Sequence, residues 1–183
     1  MENQVGHMPR GKSVSQIPAE LSGLTKVFTD VNWGSSQQIK PRLSAYTVKC
    51  RLVQNNSGGA LTPGQSVKWK SGAWGTQIGA VTGSLEQPCG IVDEYLPSAG
   101  VANGDYFWLV EEGPCKTVTN GAGTYSEQDH LVTAASGKTV KQTAAPTQGN
   151  ELPQILAFVG IAMESAAATD GLLVRTYVKR FQP

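Results

Sequence analysis

The stretch Tyr106-Phe107-Trp108-Leu109-Val110 is apolar at every position, so as a strand it presents large side chains on both faces. Burying each of them contributes about 1.5 to 3 kcal/mol, and a face left in water would forfeit half the gain. Such a strand belongs between two layers, in a barrel or a sandwich. The neighbouring sequence supplies strands to build those layers. From Tyr46 to Val53 the residues alternate, with Tyr46, Val48, Cys50 and Leu52 on one side and Thr47, Lys49 and Arg51 on the other, as a half-buried strand requires. Shorter β-type stretches follow at Ser66 to Lys70, Gln77 to Val81, Cys89 to Leu96, Asp105 to Glu112 and Cys115 to Thr119, separated by Gly, Pro, Ser and Asn clusters. Thr62-Pro63-Gly64-Gln65 has the composition of a turn, with Pro where φ is near −65° and Gly where φ turns positive.

Helical periodicity is confined to one-turn pieces near Pro18 to Leu21 and Glu164 to Ala168. Without long amphipathic helices to cover a parallel sheet, the βαβ folds that host most nucleotide chemistry are disfavoured. His130 to Thr133 and Thr139 to Gln142 read as a short hairpin between Gly-, Ala- and Thr-rich loops at 120–128 and 134–150. Ile155 to Met163 and Leu172 to Phe181, joined across Thr169-Asp170-Gly171, read as a C-terminal β-hairpin. The expected architecture is mainly β: a small β-barrel or β-sandwich body over 42–183 with long loops, preceded by an extended N-terminal arm over 1–41.

That arm has no steady period, yet Ile17, Leu21, Leu24, Val27, Phe28 and Trp33 recur along it. A free arm is nearly devoid of such side chains. They serve either as anchors in pockets of a neighbouring molecule or as packing along the chain's own body. Trp33 and Trp74, each followed by Gly, are further candidates for exposed contacts, whereas Trp69 and Trp108 lie in apolar strands and read as core.

Charge narrows the partners. The 183 residues carry a net charge of +1, and only 16% are charged. No broad cationic face is available to displace counterions from nucleic acid. The residues Met1 to Lys12 have no apolar run of signal-peptide length, and no segment has the eighteen or so unbroken apolar residues of a membrane span. The expectation is a chain made in the cytosol, with Cys50, Cys89 and Cys115 as reduced thiols.

One string looks like chemistry. Gly6-His7-Met8-Pro9-Arg10-Gly11-Lys12-Ser13 fits the phosphate-binding pattern of Gly, four residues, Gly-Lys-Ser. In that motif backbone amides cradle phosphates, the Lys reaches the β/γ oxygens and the Ser holds Mg²⁺, which demands a buried strand before the loop and a helix after it. Only Met1 to Val5 precede the match, and Pro18 cuts short any helix after it. Asp129-His130 are adjacent and would face opposite sides of a strand, so they do not form a base with its orienter. The acid pairs Asp93-Glu94 and Glu111-Glu112 diverge for the same reason, leaving partners for Arg and Lys as their ordinary role. No metal-ligand spacing is present. The expectation is a non-enzymatic protein without cofactor.

Gly90-Ile91-Val92-Asp93-Glu94, then Gly104-Asp105-Tyr106-Phe107-Trp108-Leu109-Val110 and Gly113-Pro114, preceded by Leu61-Thr62-Pro63-Gly64-Gln65-Ser66-Val67, resemble the small β-barrel capsid decoration (cement) proteins of tailed phages. The likeness runs from Leu61 to about Thr119. It implies a protein added to the outside of an assembled shell, bound to the major capsid protein and to copies of itself, with a trimer favoured. The location implied is the virion exterior. A virion-displayed module binding glycans or host surfaces through Trp33 and Trp74, or another minor capsid or tail protein, is the alternative.

Overall fold

The computed structural model describes residues 8–29, 31–33, 39–41, 47–142 and 151–179. The body is mainly β. Its strands are β1 (Ser13–Val14), β2 (Thr25–Thr29), β3 (Val31–Trp33), β4 (Ile39–Pro41), β5 (Thr47–Asn55), β6 (Ser66–Trp69), β7 (Gln77–Ala80), β8 (Gly90–Val92), β9 (Tyr106–Asn120), β10 (His130–Thr133), β11 (Thr139–Lys141), β12 (Phe158–Ala162) and β13 (Asp170–Val178), with one helix, α1 (Glu151–Leu156), between β11 and β12.

The two expected strands on either side of Gly113-Pro114 are one strand of 15 residues, β9. A Gly-Pro pair was expected to end a strand, because Pro offers no N–H to the ladder. Here it marks a bend that the ladder crosses, with Tyr177 opposite Pro114 and Val178 opposite Gly113. Gly113 adopts φ +106°, and a Cβ there would lie 2.4 Å from the Thr47 carbonyl oxygen. Only glycine suits both the conformation and the close approach.

The bend lets β9 serve two sets of partners. Its first half pairs with β5 and β8, and its second half with β13 and β11. Pairings run from β9 through β8, β6, β7 and β5 back to β9, and again through β13, β12, β10 and β11 back to β9. The result is one large sheet wrapped into two rings rather than a single regular closed barrel. The closing contacts are short and parallel: Gln54↔Gln77 with Asn55↔Ile78 in the first ring, and Thr139↔Thr119 in the second. Buried threonines support the second closure, since the Thr117 and Thr176 hydroxyls are 2.8 Å apart and the Thr139 hydroxyl donates to the Val118 carbonyl at 3.1 Å. These bonds satisfy groups that would otherwise be costly to bury.

Both faces of the apolar run are covered. Phe107 and Leu109 join Val53, Leu61, Val67, Ile78, Val92, Leu96 and Val101 in the core of the first ring. Trp108 and Val110 face the other way, into a larger core with Val48, Cys50 and Leu52 that continues through Leu131, Val159, Val174 and Val178 in the second ring. The lid over Trp108 is the chain's own N-terminal segment. Val14, Ile17, Leu21 and Phe28 pack on this core, the Phe28 and Trp108 rings meet edge to face at 5.4 Å, and the Trp108 indole N–H donates to the Met8 carbonyl at 2.9 Å.

The N-terminal segment is therefore a strap over residues 8–29, ending in β2, which pairs with β5 from Thr25↔Arg51 to Thr29↔Thr47. Pairing resumes in the β3–β4 ladder, Val31↔Pro41 to Trp33↔Ile39. The 3₁₀ turn at Ala19–Leu21 lies where a one-turn helix was expected, whereas Glu164 to Ala168 is not helical and Ala166 bridges to Tyr125. The C-terminal hairpin forms, with Gly160↔Val178 to Ala162↔Thr176, but Ile155 and Leu156 belong to α1 rather than to its first strand. The β10–β11 hairpin forms in register Leu131↔Lys141 to Thr133↔Thr139.

Gly104 has φ +96° but nothing within 4 Å of its would-be Cβ. Gly104→Ala is thus expected to cost only the left-handed backbone term, about 1 to 2 kcal/mol. Gly113→Ala adds collision with the Thr47 backbone and is expected to lower the urea midpoint by clearly more.

Candidate functional site

The phosphate-loop string folds into something else. Arg10 and Gly11 form a turn, Lys12 is exposed, and Ser13–Val14 enter β1 opposite Phe107 and Tyr106 instead of opening a helix. Gly6 and His7 lie outside the described residues. Gly11 has φ +78°, and a Cβ there would be 2.6 Å from the Tyr95 carbonyl oxygen. The guanidinium of Arg10 is buried and gives two parallel hydrogen bonds to Asp93, at 2.9 and 2.8 Å, with the Tyr95 ring 5.0 Å away. Burial opposes its charge, yet the Asp93 carboxylate holds Arg10 protonated well above the ordinary range. Arg10 is the functional residue of this string, as a latch that fastens the strap to the loop after β8.

The second acid pair is also engaged by arginine. The β5–β9 register passes from Lys49↔Glu112 to Cys50↔Val110, which leaves Glu111 as the extra residue of a β-bulge. A bulge re-aims a side chain, and Glu111, fully buried, accepts from Arg51 Nε at 2.6 Å. Arg51 lies 5.9 Å above the Trp69 ring and also donates to the Gly23 carbonyl at 3.2 Å. Asp129 accepts from the Ser126 N–H and pairs with Lys141, while His130 meets Phe158 edge to face, so the two neighbours do diverge. Among the described residues no group of His, Cys, Asp or Glu is arranged to hold a metal ion. Among the described residues no helix is long and apolar enough to cross a membrane.

Of the candidate contact residues, Ile17, Leu21 and Phe28 turn inward onto the core. Leu24, Val27 and Trp74 are exposed, at 39%, 59% and 68%. Trp33 lies in β3, and its side chain is outside the described residues.

The structure adds a feature that periodicity did not reveal. A cleft of about 590 Å³ separates the first ring, at Trp69, Trp74 and the 86–91 segment, from the second, at Ile155, Leu156, Phe158 and the end of β13. Its floor is buried and apolar, formed by Ile91, Val159 and Val178. Its mouth is apolar and exposed, since Trp74, Ile155 and Leu156 are 68%, 52% and 41% accessible. Helix α1 buries none of its six residues. A signal was present in Ile155-Leu156, but a helix this short has no detectable period and its apolar pair reads as strand. Cys89 lines the cleft and is partly exposed, whereas burial pushes the thiols of Cys50 and Cys115 up and keeps them protonated.

Comparison with family models and with curated proteins finds no match. Among solved structures the chain is similar to the head fiber gp8.5 N base of bacteriophage phi29, with 16% identity over 72% of this chain and 96% of that one and a TM-score of 0.45.

Removing one partner of a buried pair strands the other charge and costs about 3 to 5 kcal/mol. Arg10→Met is expected to destabilise the fold by that order in chemical denaturation, Arg10→Met with Asp93→Leu to regain most of it, and Lys12→Ala to change nothing.

Proposed function

We propose that the chain is a structural protein of a phage virion, a decoration protein that binds the outer surface of the capsid and stabilises the shell. The observation that carries this reading is the apolar surface around the cleft: Trp74 with Leu152, Ile155 and Leu156 on a helix that buries nothing. Contiguous exposed apolar surface of this kind marks a place where another protein is bound, because removing it from water contributes about 25 cal/mol per Å². The turn-punctuated Leu61 to Thr119 segment resembles decoration proteins, and a net charge of +1 suits close approach to another protein rather than to nucleic acid.

The partner is the major capsid protein, and copies of the chain associate on the shell, with a trimer favoured. Each contact need be only modest, since a repeated lattice multiplies weak contacts. The two-ring body serves as a rigid spacer between contacts: the turn at Ala135–Gly137 abuts the first ring, and Leu85 N–H donates to the Thr133 carbonyl at 3.1 Å.

Shells purified without the chain are expected to take it up in co-sedimentation to a fixed number of copies and to melt at higher temperature once loaded. A chain that stays in the supernatant at micromolar concentration would overturn the reading.

A further inference from the structure

We infer that the outer edge of β2 is a self-pairing surface, on which two copies of the chain join their sheets antiparallel across a two-fold axis, with Val27 opposite Val27 of the second copy. The inference rests on this edge alone and is independent of what the copies bind on a shell.

β2 lies at the end of the sheet path, and among the described residues it pairs with β5 alone. That pairing fixes which of its backbone groups are used. The Leu52 N–H donates to the Leu24 carbonyl at 2.8 Å, and in an antiparallel ladder bonded and non-bonded residues alternate. The N–H and C=O groups of Lys26 and Phe28 therefore turn towards β5, and those of Thr25, Val27 and Thr29 turn towards the open edge. The ladder from Thr25↔Arg51 to Thr29↔Thr47 has no bulge, and β2 contains no proline. Thr25, Val27 and Thr29 are exposed, Val27 at 59%. Bulges and prolines are common guards of a free edge. The remaining guard, a charged residue, is Lys26, and its position sets the register.

The sequence Thr25-Lys26-Val27-Phe28-Thr29 points to the occupant. Read in the opposite direction about Val27, Thr returns as Thr and Val as Val, while Lys26 and Phe28 exchange. An isologous contact demands this symmetry, since both sides of a two-fold interface are the same patch. In this register every outward N–H of β2 meets an outward C=O. Val27 packs on its counterpart and the Thr25 hydroxyl faces Thr29 of the second copy, both favourable cross-strand pairs. Lys26 falls opposite Phe28. Within the chain its ammonium already lies 5.0 Å from the Phe28 ring, so the two are compatible neighbours and no cation faces a cation. An axis at Lys26 would set the two ammonium groups against each other, which is unfavourable. An axis at Phe28 would run the ladder past the end of β2 at Thr29. A strand of another protein would meet the same amides, but nothing requires it to place an uncharged residue opposite Lys26. A second copy does so by symmetry.

A ladder of five residues per copy is small against the surface of a stable complex, about 1,200 to 2,000 Å². The contact is therefore weak in free solution and gains from a lattice that holds copies side by side. A two-fold contact does not build a trimer; on a closed shell it joins one cluster to the next.

The test uses the full chain with Cys89→Ser, which removes the partly exposed thiol and leaves Cys50 and Cys115 buried. Val27→Cys in this background sets two thiols across the axis at a Cα separation of about 5.5 Å, within disulfide reach. Mild oxidation is expected to give a covalent dimer. Thr25→Cys lies opposite Thr29 rather than itself and is expected to stay monomeric. Without added thiols, sedimentation velocity at rising concentration is expected to show a reversible dimer. Thr25→Lys with Thr29→Lys is expected to weaken it several-fold, and so is Thr25→Glu with Thr29→Glu. An equimolar mixture of the two charged variants is expected to associate again, because each Lys then faces a Glu.

No covalent dimer from Val27→Cys, or dimers of Thr25→Cys formed as fast, would overturn the register. A mixture that associates no better than either charged variant alone would remove β2 as the contact. Dimerisation by a chain that fails to bind shells would sink the capsid reading and leave this one standing. Shell binding without any of these associations would do the reverse.

Discussion

A strand buried on both faces must be enclosed twice, and the whole molecule is organised around meeting that requirement for β9. Phe107 and Leu109 fill the first ring from within, while Trp108 and Val110 project from its outer side. A small barrel normally leaves its outer side to water. Here the outer side is closed by two different means. The second ring continues the core along β9 beyond Gly113, and the N-terminal strap covers the part that the second ring does not reach.

The strap is held by contacts of different strength and range. Apolar packing by Ile17, Leu21 and Phe28 supplies burial without direction. The Trp108 indole bond to Met8 and the two-pronged Arg10–Asp93 pair supply direction, because each is satisfied in one register only. Buried ion pairs are weak evidence for net stability, since desolvation offsets their attraction. Their role here is to specify where the strap lies. The Arg51–Glu111 pair acts similarly between β5 and β9, where a bulge re-aims Glu111 into a buried partner.

This arrangement moves the candidate capsid-binding surface away from the arm. Ile17, Leu21 and Phe28, together with Val14, pack at home onto the core that holds Trp108. Besides Leu24 and Val27 on the arm and Leu172 and Leu173 on β13, the large apolar side chains left exposed among the described residues lie at the junction between rings, Trp74 on one side and α1 on the other.

The β character, the turn positions, the hairpin at 130–142, the terminal hairpin and the two-sided burial of Tyr106 to Val110 were all legible in the sequence, because each depends on local period or on the dihedral limits of Gly and Pro. That no helix follows the phosphate-loop string was legible too, from Pro18. Other features depended on pairing between segments far apart in the chain. Gly113-Pro114 reads locally as a stop and becomes a bend only because β5 and β13 hold the strand on either side of it. Ile155 and Leu156 read as strand and become helix. Of the arm and loop residues that looked alike as anchors, six have described side chains, and the core around Trp108 sorted them, drawing Ile17, Leu21 and Phe28 inward while Leu24, Val27 and Trp74 stayed outside. By itself the sequence determined which segments extend and which faces avoid water. Only the tertiary structure decided which surfaces meet, since that choice is made by long-range register, shape and charge pairing that no local window contains.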